Sequence, residues 1–275
     1  MRLGIFAKTF AGTDPLTVLT AARDAGFEAV QYNMACSGLA AMPDLIMPDI
    51  TAAIRQAGAD TGVAIAAVSG TYNMIHPNPA VRETGLRRLG LLIETARSIG
   101  TDMVTLCTGT CDPDDQWRGH PDNVLPAAWT LLCAEMAKAT ALAEAQGIKL
   151  GIEPELANVV SDAAKARQLI DTLQSPSIAI VLDPANLFEV ATLPQQRRII
   201  SQAIDLLADR IVMAHAKDRD AQGGFITAGQ GVVDFDHVLR RLRMAGFDGD
   251  LVTHGLTGPE AAGVARFLAD RLDSL

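Results

Sequence analysis

Four short apolar runs in the second half of this chain each end on a side chain able to bind a metal ion: KLGIE at Glu153, IAIVLD at Asp183, IVMAH at His215 and DLVTH at His254. The gaps between these residues are 30, 32 and 39 positions. Each gap accommodates a helix crossing over to the next parallel strand, so the four side chains converge at one end if the strands close into a barrel. Two carboxylates and two imidazoles suit Mn²⁺, Mg²⁺, Co²⁺ or Zn²⁺, and the two nitrogens shift the expectation away from Mg²⁺. The pattern points to an enzyme that works with a divalent cation.

The surroundings of these residues add detail. Pro154 ends the strand in Gly151-Ile152-Glu153-Pro154-Glu155, because proline has no N–H for the ladder, and this leaves Glu153 and Glu155 at the rim. Leu182-Asp183-Pro184-Ala185-Asn186 repeats the order of apolar strand, carboxylate and proline. Alternation along an extended chain puts His215 and Lys217 on one face.

The elements that must position these groups are legible in the periodicity. Strand-length runs are expected at Leu3 to Ala7, Ala29 to Tyr32, Ala64 to Ser69, Met103 to Cys107, Lys149 to Ile152, Ala179 to Leu182, Ile211 to Ala214 and Leu251 to Thr253. Between them, helical spacing covers residues near 15–25, 49–61, 80–99, 126–146, 162–173, 194–208, 235–245 and 259–272. Gly26, Gly62, Gly100, Gly147 and Gly246 each follow a helical segment, where glycine stops a helix cheaply. Eight repeats of strand and helix predict an α/β fold, a single (β/α)8 TIM barrel spanning residues 1–275 as one domain. An open doubly wound sheet fits less well, because four ligands on four consecutive strands need barrel curvature and no G-x-G-x-x-G follows the first strand.

Composition narrows the partners. The 275 residues are 49% hydrophobic and 20% charged, as in ordinary globular proteins. A net charge of −9 repels a nucleic-acid backbone, so no nucleic-acid partner is expected. Residues 1–10 lead into a strand without the apolar core of a secretory signal, and no stretch approaches the length of a membrane span. Cys36, Cys107, Cys111 and Cys133 form no CxxC pair or disulfide framework. A cytoplasmic protein with free thiols and no membrane association is the expectation.

Taken together, Glu-Pro-Glu at 153–155, Leu-Asp-Pro-Ala-Asn at 182–186, His-Ala-Lys-Asp at 215–218, Gly-Gln-Gly-Val-Val-Asp-Phe at 229–235 and Gly-Phe-Asp-Gly at 246–249 resemble the xylose isomerase-like TIM barrels. That family includes sugar isomerases, tagatose-type 3-epimerases, inosose dehydratases and endonuclease IV. The resemblance covers nearly the whole chain. It implies metal ligation by Glu153, Asp183 and His215 with a fourth ligand from the last strand, where His254 stands in place of the glutamate many relatives carry. It also implies a small-molecule sugar or polyol substrate, leaves room for a homo-oligomer, and makes a sugar isomerase or epimerase acting through an enediolate the expected activity.

In that reading Glu153 or Glu155 is the base, His254 a ligand or second acid/base, and Lys217 stabilises oxyanion charge. Substrate contacts are expected from Asn73, His76, Trp117, His120 and Asn186, since an aromatic face suits the C–H side of a sugar and imidazoles suit its hydroxyls. Lys8 and Asn158 are further candidates, whereas Arg118 reads as loop packing. An inosose-dehydratase-like lyase is the alternative chemistry, because His254 offers one acid/base group for a leaving hydroxyl. A non-catalytic sugar-binding barrel is the other alternative, because fold does not fix function. An endonuclease IV-like role would need a histidine-rich zinc cluster and a basic surface, against five histidines and a charge of −9.

Overall fold

The computed structural model describes residues 1–275 and shows eight parallel strands closed into a barrel. The strands are β1 (Arg2–Phe6), β2 (Ala29–Tyr32), β3 (Ala64–Ser69), β4 (Met103–Leu106), β5 (Lys149–Ile152), β6 (Ile178–Leu182), β7 (Ile211–Ala216) and β8 (Asp250–Thr253). Each pairs with its sequence neighbours, and β1 closes the ring against β8 with Ile5 opposite Thr253. The register slips between β2 and β3 at Val30/Gln31 and between β6 and β7 at Ile180/Val181.

Eight helices cover the outside: α1 (Pro15–Asp24), α2 (Pro48–Thr61), α3 (Pro79–Ile99), α4 (Pro126–Gln146), α5 (Ala163–Leu173), α6 (Leu193–Leu207), α7 (Phe235–Met244) and α8 (Ala261–Asp273). Four of them start on proline, whose missing N–H costs nothing in a first turn. Asp14, Asn78, Asp162 and Asp234 accept a backbone N–H at helix starts. The boundaries agree with the sequence expectation to within about two residues. What the periodicity did not show is a short antiparallel hairpin, Asp218–Arg219 with Phe225–Ile226, in the loop after β7.

Two packed layers follow from strand alternation. Residues facing outward join the helices in a core of 65 buried side chains. Inside the barrel a second cluster of 7 buried residues, Ala29, Ala66, Ala67, Met103, Val181, Met213 and Val252, forms an apolar plug. The plug is tight: a Cβ at Gly151 would stand 2.9 Å from Val181 Cγ2, so this position of β5 has room for glycine only. Because side chains alternate, the residue two positions beyond an inward-facing one also points inward. From Met213 that residue is His215, from Val181 it is Asp183, from Val252 it is His254, and from Gly151 it is Glu153. The four candidate ligand side chains therefore stand on top of the plug.

No helix is long and apolar enough to cross a membrane. All four cysteines are free thiols.

Candidate metal centre and substrate cavity

One ligand atom each from Glu153, Asp183, His215 and His254 lies within 4.8 Å of the others. Glu153 Oε1 is 3.2 Å from His215 Nδ1, and Asp183 Oδ2 is 3.9 Å from that nitrogen and 3.5 Å from His254 Nε2. The two imidazoles meet edge-on with centroids 4.6 Å apart. Asp183 Oδ2 and His254 Nε2 are both buried, and neither makes a hydrogen bond. His254 Nε2 has no partner and Asp183 Oδ2 has only the Lys217 ammonium at 3.1 Å, so the donor set fits a divalent cation.

The charges inside this cluster are strongly interdependent. Burial pushes the Glu153 carboxyl up, but the His215 ring and the Lys217 ammonium outweigh it and hold it below the ordinary range. Asp183, closed off from solvent, is likewise held down against burial by Lys217 and the two histidines. Lys217 Nζ lies 3.1 Å from Asp183 Oδ2, and the nearby carboxylates lift it above its usual value despite burial. Burial lowers His254, which favours the neutral ring that a metal ligand needs. Glu155 moves the other way: burial and the neighbouring Glu153 charge push it up to about 7.

Glu153, His215 and His254 line the floor of a cavity of about 340 Å³ at the C-terminal end of the strands, with Asp183 fully buried beside them. Phe6, Gln31 and Ser69 complete its inner ring from β1 to β3, and Lys8, Met42, Gln116 and Trp117 reach it from the loops above. Asn186 bridges two functional groups there, donating through Nδ2 to Glu153 Oε1 at 2.6 Å and accepting at Oδ1 from Lys217 Nζ at 2.8 Å. Trp117 is 52% exposed at the rim and free to meet a bound molecule. Phe225, from the unexpected hairpin, lays its ring 3.9 Å from Lys217 Nζ. A wider recess of about 790 Å³ opens among Arg2, Arg55, Arg97, Asp102 and Asp250 at the opposite end of the barrel, away from the cluster.

Asn73, His76 and His120, expected at the substrate, do not line this cavity. Asn73 spends its amide on the loop after β4, accepting from Thr110 N at 3.0 Å and donating to Thr110 O at 2.9 Å. His76 is held between Pro113 O and Asn78 N, both at 3.0 Å. His120 accepts from Asp122 N at 3.2 Å and caps the turn at Pro121–Val124. Loop backbone leaves polar groups that need partners, and these side chains supply them. Asn158 plays the same part by accepting from Gly109 N at 2.5 Å. Gly109 itself has φ +81, and a Cβ there would overlap Asn73. Arg118 pairs with Asp112 at 2.6 Å, as loop packing requires.

Sequence reasoning did not single out Phe6 and Gln31. Both were reachable by alternation, because each stands two positions beyond an inward plug-level residue, Gly4 and Ala29. Phe225, Gln116 and Met42 come from loops and carried no comparable signal.

A sequence model of the xylose isomerase-like TIM barrel family matches residues 19–269, and the chain belongs to that family. No curated protein sequence matches it. Among solved structures it is similar to a 3-keto-D-glucoside 4-epimerase from E. coli, with 16% identity and a TM-score of 0.77 over 98% of this chain and 99% of that one. An L-ribulose 3-epimerase is similar at 19% identity and TM-score 0.77, covering 99% of this chain and 95% of that chain. A probable 3-DHS dehydratase from Bacillus anthracis shares 13% identity at TM-score 0.76, with 99% of each chain covered. Likeness at these identities is a likeness of fold.

Proposed function

We propose that this protein is a divalent-metal-dependent isomerase or epimerase of a sugar or sugar-like polyol. The observation that carries the reading is the gathering of four donor atoms within 4.8 Å at the floor of a cavity that also holds Glu155, a carboxyl able to keep its proton near neutrality. The family and the epimerases among its structural neighbours support it.

Glu153, Asp183, His215 and His254 would hold the ion, with Mn²⁺, Co²⁺ or Zn²⁺ favoured by the two nitrogens. When bound, the cation supplies charge stabilisation for the enediolate that forms as a C–H proton leaves the carbon beside a carbonyl. The protein's own groups do the rest. Glu153, held ionised, accepts a proton from the substrate carbon, and Glu155 exchanges one at about neutral pH. The Lys217 ammonium faces developing negative charge on a substrate oxygen, and Asn186 fixes the positions of Lys217 and Glu153. Returning the proton to the adjacent carbon gives isomerisation, and returning it to the same carbon from the other face gives epimerisation. A cavity of about 340 Å³ has the size of a small-molecule site.

A lyase is the second reading, favoured by His254 where a second glutamate would otherwise serve. Its place over Asp183, at 3.5 Å, suits a ring whose N–H hydrogen-bonds a departing hydroxyl β to the carbonyl. Incubation of a panel of keto-sugars and keto-inositols in D2O, followed by NMR, separates these outcomes. Deuterium at a carbon α to the carbonyl with isomeric product is expected, loss of water marks the lyase, and absence of exchange across the panel defeats both.

A further inference from the structure

One polar side chain touches the donor cluster without belonging to it. Gln31 turns into the barrel from β2 and is buried. Its Oε1 lies 2.9 Å from His215 Nε2, and its Nε2 donates to Thr105 Oγ1 at 3.0 Å. The register between β2 and β3 slips at this residue, and irregularities of that kind at barrel rims re-aim a side chain.

The two nitrogens of His215 face different surroundings. Nδ1 looks toward Glu153 Oε1 and Asp183 Oδ2, whereas Nε2 looks across the barrel to Gln31. A neutral imidazole carries one proton, so one nitrogen donates and the other offers a lone pair. Both nitrogens meet an acceptor oxygen in the ion-free site, Glu153 Oε1 at Nδ1 and Gln31 Oε1 at Nε2; when a cation takes the place of the Nδ1 contact, the amide oxygen keeps the proton on Nε2 and leaves the Nδ1 lone pair for the ion. An amide turned the other way would place its NH2 against Nε2, force the proton onto Nδ1 and remove that donor. Thr105 holds the NH2 on the far side, where its hydroxyl oxygen accepts.

We propose that Gln31 is a positioning residue that fixes His215 as the Nε2–H tautomer, so that Nδ1 is the atom offered to a divalent cation. The inference rests on the metal-site reading above and adds a partner from β2 to a cluster built on β5 to β8. Partners of this kind set ligand orientation and basicity, and losing one costs about 10–100-fold in metal affinity.

The test compares the full-length wild type with Gln31→Leu, which accepts no proton, and Gln31→Glu, which keeps an acceptor oxygen. Calorimetric titration of metal-free protein with Zn²⁺ should show Gln31→Leu weakened by about 10–100-fold, while Gln31→Glu keeps wild-type affinity or exceeds it. In proton–nitrogen correlation spectra of zinc-loaded wild type labelled at histidine nitrogen, the His215 ring should carry its proton on Nε2 and bond the metal through Nδ1. Equal zinc affinity in Gln31→Leu and wild type, weakening in Gln31→Glu to the level of Gln31→Leu, or a His215 proton on Nδ1 overturns the inference alone. If the wild type takes up no zinc, the metal reading falls and this inference falls with it. Should Gln31→Leu fail to fold, the wild-type tautomer and the Gln31→Glu affinity decide the matter.

Discussion

Lys217 Nζ stands 3.1 Å from Asp183 Oδ2, with the two side chains 7% and 0% exposed. An ammonium at this place neutralises part of a site that holds three carboxylates, and it leaves Asp183 a partner when no cation is bound. Replacing Lys217 by Met strands a buried carboxylate, which costs about 3–5 kcal/mol. The variant should unfold at lower denaturant than wild type when metal-free, bind Mn²⁺ or Zn²⁺ more tightly because the competing positive charge is gone, and lose about 10²-fold or more in turnover. Denaturant melts with and without metal, beside a titration, check the first two effects; equal metal affinity in both proteins would count against this role.

Metal removal should be visible without a substrate. A ligand that binds only the folded state at about 100 times its dissociation constant adds about 2.7 kcal/mol. A chelator should therefore lower the melting temperature by several degrees, with recovery on adding Mn²⁺, Co²⁺ or Zn²⁺. Asp183→Asn should abolish the recovery, as read by thermal melts with and without the ion.

Glu155 gives a pH dependence with a definite sign. Its folded value is about 7 and its ordinary value 4.5, so between those limits the folded protein binds more protons than the unfolded chain. Its contribution to stability is complete below about 4.5 and is lost as pH rises through 7. Asp183 and Glu153, held low, act in the opposite direction and only in acid, below the ordinary carboxylate range. Glu155→Gln should flatten the decline between about pH 5 and 8 in metal-free protein, measured as denaturant midpoints across that window.

Asp218 is a loop organiser next to Lys217. Its carboxylate accepts from Arg219 N at 2.8 Å, Gly229 N at 2.9 Å, Gly231 N at 3.0 Å and Val233 N at 2.9 Å. Asp218→Ala leaves four backbone donors without their acceptor and should cost about 3 kcal/mol or more. Hydrogen exchange should rise across residues 227–233 while the β5 and β6 amides keep their protection.

Trp117 stands at the rim, half exposed and outside the metal cluster. Trp117→Ala should raise KM several-fold and change kcat little, since an aromatic contact of about 1 kcal/mol serves binding in both ground and transition states. Steady-state kinetics on whichever substrate the exchange panel identifies, together with an unchanged melting temperature, check this.

The barrel and its donor cluster were legible because they obey short-range rules. Alternation from an apolar plug dictates that Glu153, Asp183, His215 and His254 face inward, and strand spacing brings them to one end. Asn73, His76 and His120 were placed at the substrate by residue type alone, and residue type does not show whether a polar group serves a ligand or a loop's own backbone. That choice depends on pairings such as Asn73 with Thr110, 37 positions apart, which no local pattern records. The hairpin carrying Phe225 was equally hidden, because two paired residues per strand leave no periodicity to read.

Asn73, Asn123 and Asn158 sew the loops after β3, β4 and β5 into one piece, with Asn123 donating to Ala157 O at 2.9 Å while accepting from Cys111 N at 2.8 Å. Three segments fastened together cannot drift independently as sequences diverge. A lineage seeking a differently shaped substrate would have to change several stitches at once or leave that side alone. The unsewn margin near Met42 and Phe225 is then where new preferences arise most cheaply, and random mutagenesis for altered selectivity should return its winners there.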